Sequence, residues 1–272
     1  MSVFDFLKPK KEEQEETTQQ ETNLLLAMPL YNGTDSYNVR AVIDQLQNYW
    51  GLEVSDIEGL EGADEDAVTF TLDGEMVAMA KMPVPVPAEE IQSTAEYAYL
   101  WETAATDCKD HTSHAIVTLL SGNAPTIERY KLFTMLLASI LETSNAIGIY
   151  QGEQTLLLPK ALYLEYADFL REEDQSPLAL WVYIGLVNDG TTCSAYTYGL
   201  SGFGKQEIEV VHSDKNIGEL YDFITMIALY IIDYDVTLRH GETIGFSEEE
   251  KIKITASKGA FLDGETLKIE YN

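Results

Sequence analysis

Two stretches place reactive residue types at spacings that could do chemistry. The first, Gly199-Leu-Ser-Gly-Phe-Gly-Lys205, has the G-x-x-x-x-G-K spacing of a phosphate-cradling loop. Such a loop works because backbone N–H groups and a helix N-terminus converge on the anion, with a Ser or Thr after the lysine to ligate magnesium. Gln206 stands in that place, and Glu207 and Glu209 alternate with Ile208, Val210 and Val211 at strand periodicity. No helix dipole is aimed at the loop. The apolar run ending at Asp233, which imitates the partner signature for magnesium, sits in a helical context and so ends a helix, not a strand. The stretch reads as a hairpin turn entering a strand.

The second stretch is Cys108-Lys-Asp-His-Thr-Ser-His114, where His111 and His114 could share a metal with Cys108 or Asp110 on one helical turn. Lys109 inside the cluster, and a strand starting near His114, favour a turn-and-cap role instead. Asp233 and Asp235 are the sharpest carboxylate pair, because a helix C-terminus disfavours anions and would raise their pKa; solvated surface acids are the plainer reading. No G-x-S-x-G elbow is present. No catalytic residue, cofactor or metal ligand is therefore assigned.

The aromatic residues point elsewhere. Sixteen tyrosines, Tyr163, Tyr166, Tyr196 and Tyr198 among them, supply amphipathic surface of the kind enriched in protein interfaces. Trp101, His111, His114, Tyr196, Tyr198, Lys205, Asp233 and Asp235 form the candidate pocket or interface set.

The elements that must position these residues follow from periodicity. A polar, charged tail is expected over residues 1–22, with a short apolar tip that either docks on a partner or packs on its own domain. A strand over 23–30 precedes a helix carrying Val39, Val42, Ile43 and Leu46, capped by Ser36 or Asp35. Strands over 67–72 and 76–82 meet at Asp73-Gly74, a tight-hairpin dipeptide. Pro83, Pro85 and Pro87 then favour an extended crossing, or a segment for a proline-reading domain, before a helix that begins near Glu89. Strands over 114–120, 147–150, 179–187, 192–200, 207–211, 251–255 and 267–271 interleave with helices over 126–142, 159–170 and 217–232. The last is apolar nearly all round, as if buried between layers. The helix segment at 130–136 is echoed at 221–227 (YKLFTML and YDFITMI), so a duplication and a coincidence of two core-facing helices both stand. Hairpins without regular βαβ alternation predict an α+β fold of largely antiparallel sheets packed with helices, open to reading as two pseudo-repeated halves. The halves are drawn at 23–157 and 158–272, joined in one compact unit.

Composition narrows the function classes. Forty-six acidic against 17 basic residues give a formal charge of −29, which repels phosphate backbones and anionic lipid and attracts basic proteins. Two lone cysteines fit a reducing cytoplasm, and neither a signal peptide nor a membrane-spanning run is expected.

The segments KMPVPVP, HAIVTLLS, GIYQGEQTLLLP, LWVYIGLV, TYGLSGFGKQEIEV and LRHGETIGFSEEEKIKI together resemble the bacterial family catalogued as domain of unknown function 4261. The likeness runs from about residue 75 onward, with only general layout shared before it, and His240 stands where an acidic residue is expected before the glycine of the late turn. The resemblance implies a soluble bacterial protein and brings no activity with it. The expectation is a non-catalytic interaction protein of the inhibitor, immunity or adaptor type with a basic protein as partner. The alternative is an enzyme or a small-ligand or metal-binding protein with a pocket near Trp101, His114 and the Gly199 to Lys205 turn.

Overall fold

The computed structural model describes residues 24–33, 36–60, 67–245 and 251–272. The tail over 1–22 and the cap at Asp35 lie outside the described residues. The remainder is an α+β fold of two sheets, antiparallel apart from one parallel strand pair.

The first sheet starts with β1 (Leu25–Tyr31), followed by α1 (Val39–Asn48), β2 (Val54–Glu58), β3 (Ala67–Leu72) and β4 (Glu75–Met82). In α1 the four apolar positions at helical spacing are all buried, and Asn38, not Ser36, is the cap: its side chain accepts from the Ala41 N–H at 3.0 Å. β2 arises from an acidic stretch that shows no strand alternation, because an edge strand buries little of either face. After α2 (Ala88–Ala95) and the short α3 (Ala104–Asp107), β5 (Ser113–Ser121) enters the sheet beside β4. Then come α4 (Thr126–Glu142), β6 (Ala146–Gln151), β7 (Leu156–Pro159) and α5 (Lys160–Glu173). The strand order is β2-β3-β4-β5-β1-β6-β7, antiparallel throughout.

Helices cover both faces of this sheet. Ala27, Val117 and Leu119 point to the side of α1, α4 and α5, while Leu30, Tyr150 and Leu157 point to a separate cluster with Ile91 of α2 and Trp101. At the end of β4, Glu75 is fully buried and accepts from Arg129 Nε of α4 at 2.7 Å and from the Ala124 N–H at 2.9 Å.

The second sheet comprises β8 (Tyr183–Asn188), β9 (Cys193–Tyr198), β10 (Ile208–Ser213), β11 (Thr243–Ile244), β12 (Ile252–Lys258) and β13 (Glu265–Ile269), in the order β11-β12-β13-β10-β9-β8. β8 begins at Tyr183 and not near 179, because Leu178–Leu180 form a 3₁₀ turn that buries Leu178, Leu180 and Trp181. Between β10 and β11 runs α6 (Ile217–Asp233), its start fixed by a reciprocal Asn216–Glu219 capping box. The expectation that α6 is buried between layers needs correction. Its Phe223, Ile227 and Ile231 stripe lies on the sheet, but Asp222, Met226 and Tyr230 face outward.

Both sheets contain a three-strand meander followed by a helix, β3-β4-β5-α4 and β8-β9-β10-α6. They part company at the next position: β1 lies antiparallel to β5, whereas β13 lies parallel to β10. Buried apolar side chains of both sheets form one continuous cluster. Among the described residues, no helix is long and apolar enough to cross a membrane.

Candidate functional site

The GLSGFGK stretch joins β9 to β10 through a 3₁₀ turn at Leu200–Phe203, with Gly199 (φ 130°) and Gly204 (φ 69°) in conformations that suit glycine. Its amides do converge on an oxyanion, and that oxyanion belongs to the same chain. The Glu207 carboxylate accepts from the N–H groups of Gly199 (2.9 Å) and Ser201 (3.0 Å) and from the Thr197 hydroxyl (2.7 Å). Lys205 is likewise spent internally, donating to Asp235 Oδ1 at 2.6 Å and to Thr237 Oγ1 at 3.2 Å. Phe203 stacks on Tyr130 of α4 at a centroid distance of 4.1 Å, with Trp181 alongside. The loop thus fastens the second sheet to the helices of the first.

His111 and His114 hold the proline-rich crossing. With Pro83, Pro85 and Pro87 unable to donate, the Val86 N–H needs a side-chain acceptor, and His111 Nε2 meets it at 2.8 Å. His111 Nδ1 then donates to the Cys108 carbonyl at 2.6 Å, which consumes both ring nitrogens, and His114 Nδ1 donates to the Val84 carbonyl at 2.8 Å. Burial pushes His114 below the ordinary histidine range, with the Val84 carbonyl opposing. Burial, assisted by Asp107, pushes the Cys108 thiol up to about 12. Among the described residues, no three His, Cys, Asp or Glu side chains are grouped to hold a metal. Trp101 packs in the same region and donates from Nε1 to Asp107 at 2.8 Å.

The remaining candidates divide. Asp233 accepts from Ser176 Oγ at 2.6 Å, while Asp235 pairs with Lys205, so the two carboxylates do not work together. Trp101, His111 and His114 belong to the first sheet; Tyr196 and Tyr198 lie on the face of the second sheet opposite α6.

That face is where aromatic side chains from separate elements meet. Tyr97 and Tyr99, between α2 and α3, reach over to Tyr183 of β8, with ring centroids 6.3 and 5.9 Å away. Tyr183 contacts Tyr196 at 6.2 Å, and Tyr196 stacks on Phe261 at 5.3 Å. The Tyr196 ring lies directly over Gly185, where any Cβ would collide with it, so glycine in β8 gives the ring its seat. Beneath Tyr97 and Tyr99 is a cavity of about 160 Å³ walled by Leu156, Leu158, Tyr183 and Tyr221. A shallower depression of about 250 Å³ shares Tyr97, Thr155 and Tyr183 with it and extends to Tyr196 and Tyr198. Tyr97, Tyr99 and Tyr198 remain 49%, 41% and 38% exposed. Burial, then neighbouring phenols, raises Tyr183 to about 12 and lifts Tyr99 and Tyr221 above the usual tyrosine range. These phenols are neutral at pH 7 and able both to donate and to accept hydrogen bonds.

Sequence reasoning missed Tyr97, Tyr99 and Tyr183, and also the group beneath the face. Glu209 is fully buried, accepting from the N–H groups of Ala260 (2.9 Å) and Phe261 (3.2 Å) and pairing with Lys268 at 2.9 Å. Burial alone would raise its pKa, but these donors outweigh it and hold the carboxyl below the usual range. Alternation in β10 did place Glu209 opposite α6; the loop after β12 that covers it carries no periodic signal.

Two segments of the resemblance, from Thr197 and from Leu238, lie within one family match, and LWVYIGLV at 180–187 lies ahead of it. Residues 196–270 match the model of DUF4261, a domain of unknown function. The DUF4261 region thus contains β10, α6, β12 and β13, the Glu207-filled loop and the Glu209–Lys268 pair, whereas Tyr97, Tyr99 and Tyr183 are contributed from outside it. No curated protein and no solved structure matches the chain.

Proposed function

We propose that the chain is a non-catalytic interaction module of the inhibitor, immunity or adaptor type, working in the cytoplasm and binding a basic protein, not nucleic acid, through the tyrosine face of its second sheet. One observation carries this reading: Tyr97 and Tyr99 of the α2–α3 connection, Tyr183 of β8, and Tyr196 and Tyr198 of β9 gather at the β8 end of the second sheet, on and beside the face that no described helix covers. Tyrosine suits such a surface because it offers large contact area at low entropy cost with a polar tip. Among the described residues no lysine or arginine lines the cavity or its extension, and exposed Glu96, Glu102, Glu153 and Asp263 flank the lining segments. Together with the charge of −29, this favours a cationic partner approached by electrostatic steering. Two buried, unpaired cysteines accord with a reducing compartment.

Affinity capture at low salt tests the reading. The wild-type chain is expected to retain one basic protein in stoichiometric amount, and a Tyr97→Ser/Tyr198→Ser variant to lose most of it. Retention by that variant equal to wild type contradicts the proposal. A second reading, a small-ligand binder, is favoured by the cavity of about 160 Å³, near the size of one small planar molecule. That cavity lies at Tyr99 and Tyr183, and a separate open depression of about 430 Å³ is lined by Gly199, Ser201 and Gly202 of the expected turn. A bound metabolite seen by native mass spectrometry would select this second reading.

A further inference from the structure

The cavity under Tyr97 and Tyr99 has an electronegative end. Two residues that line it, Gln175 and Ser176, direct donors to carboxylates: Gln175 Nε2 to Glu173 at 2.8 Å and Ser176 Oγ to Asp233 at 2.6 Å. Ser176 keeps only acceptor capacity, and Gln175 keeps its Oε1 acceptor beside one remaining N–H, with two carboxylates behind them. The other walls are chiefly aliphatic side chains and the phenols of Tyr99, Tyr166, Tyr183 and Tyr221, with Thr155 and Thr225 among them, and none of the lining residues is charged. Ring faces plus acceptors backed by carboxylates suit a planar cation, and they suit neither an anion nor a plain hydrocarbon.

A guanidinium meets these conditions better than an ammonium. It is planar, weakly hydrated and stacks on aromatic rings, and its five N–H donors can serve acceptors spread along one edge. A cavity of about 160 Å³ admits one such side-chain end and excludes a folded element. Resting on the interaction reading above, we propose that this cavity is the anchor site for a single arginine side chain of the basic partner, stacked against the tyrosine rings with its guanidinium towards Gln175 and Ser176.

The test titrates the full chain at low salt with acetyl-Gly-Gly-Arg-Gly-Gly-amide and with its lysine and citrulline counterparts, reading tyrosine ring signals by NMR. The arginine peptide is expected to saturate. The citrulline peptide, planar but neutral, should bind about tenfold more weakly, and the lysine peptide about threefold. Asp233→Asn should weaken the arginine peptide about threefold, whereas Asp44→Asn, the same charge change on α1, should leave it unaltered. Tyr99→Ala should abolish saturation, and Tyr99→Phe, which keeps the ring and its packing, should bind within about twofold of wild type. Equal binding of arginine and citrulline peptides, or equal effects of Asp233→Asn and Asp44→Asn, would overturn the proposal. If the arginine peptide fails while the chain still captures a basic protein through Tyr97 and Tyr198, the anchor is wrong and the interaction reading survives. Loss of capture as well removes both.

Discussion

The two sheets solve the same problem differently. The first is closed on both sides, by α1, α4 and α5 on one face and by α2 and α3 on the other, and its inward side chains, mostly aliphatic with Tyr31, Phe70 and Tyr150 among them, are buried. The second has one helix, α6, on one face only; the opposite face carries Tyr183, Tyr196, Tyr198 and a buried Glu209–Lys268 pair under a loop. A sheet face without a helix meets water, and phenol rings tolerate that where leucine would drive aggregation. The first sheet is packed on both faces, and the second leaves part of one face to solvent.

If that division holds, the largest effect of substitution belongs to the first sheet. Arg129→Met leaves Glu75 as a buried charge without its guanidinium, and unfolding in urea should show a loss of about 3–5 kcal/mol; Glu75→Leu/Arg129→Met should recover most of it. A loss below about 1 kcal/mol would mean that this end of the sheet is wetter than its burial indicates. Phe203→Ala, which removes the stack on Tyr130 that ties the sheets together, should cost about 2 kcal/mol for a half-buried ring. The comparison would fail if that variant matched wild type in thermal unfolding.

The next effect is in pH dependence and belongs to the second sheet. Because the folded-state pKa of Glu209 is depressed, its contribution is complete above the unfolded value of 4.5 and declines as pH falls through the folded value. Glu209→Gln should therefore flatten the stability profile below about pH 4.5. His114 acts in the same direction at higher pH: its depressed pKa makes stability fall as pH drops below 6.5, and His114→Gln should remove that slope. The smallest effect is that of Lys205→Ala, about 0.5–1 kcal/mol, since its partner Asp235 is almost fully exposed.

Much of the scaffold was legible because burial follows period. The α4 boundaries, the Asp73-Gly74 hairpin and the strand nature of 208–213 all follow from local pattern. The GLSGFGK stretch was legible as a turn because Gln206 and the alternation after it deny a helix. That Glu207 would fill its amides required the fold, since a carboxylate two residues after a lysine looks like any solvated strand residue. Edge strands β2 and β7 were missed for lack of alternation. The tyrosine face was half legible: Tyr196 and Tyr198 stand out on an alternating strand, whereas Tyr97 and Tyr99 sit in an irregular segment, and nothing local indicates that it crosses to another sheet.

Hydrogen exchange of the chain alone and bound to its captured partner tests the central claim most directly. The account predicts new protection in residues 97–100, 183–187 and 194–198, with α1, α4 and α5 unchanged. Protection confined to α1, α4 or α5, with the tyrosine face exchanging as before, would contradict it.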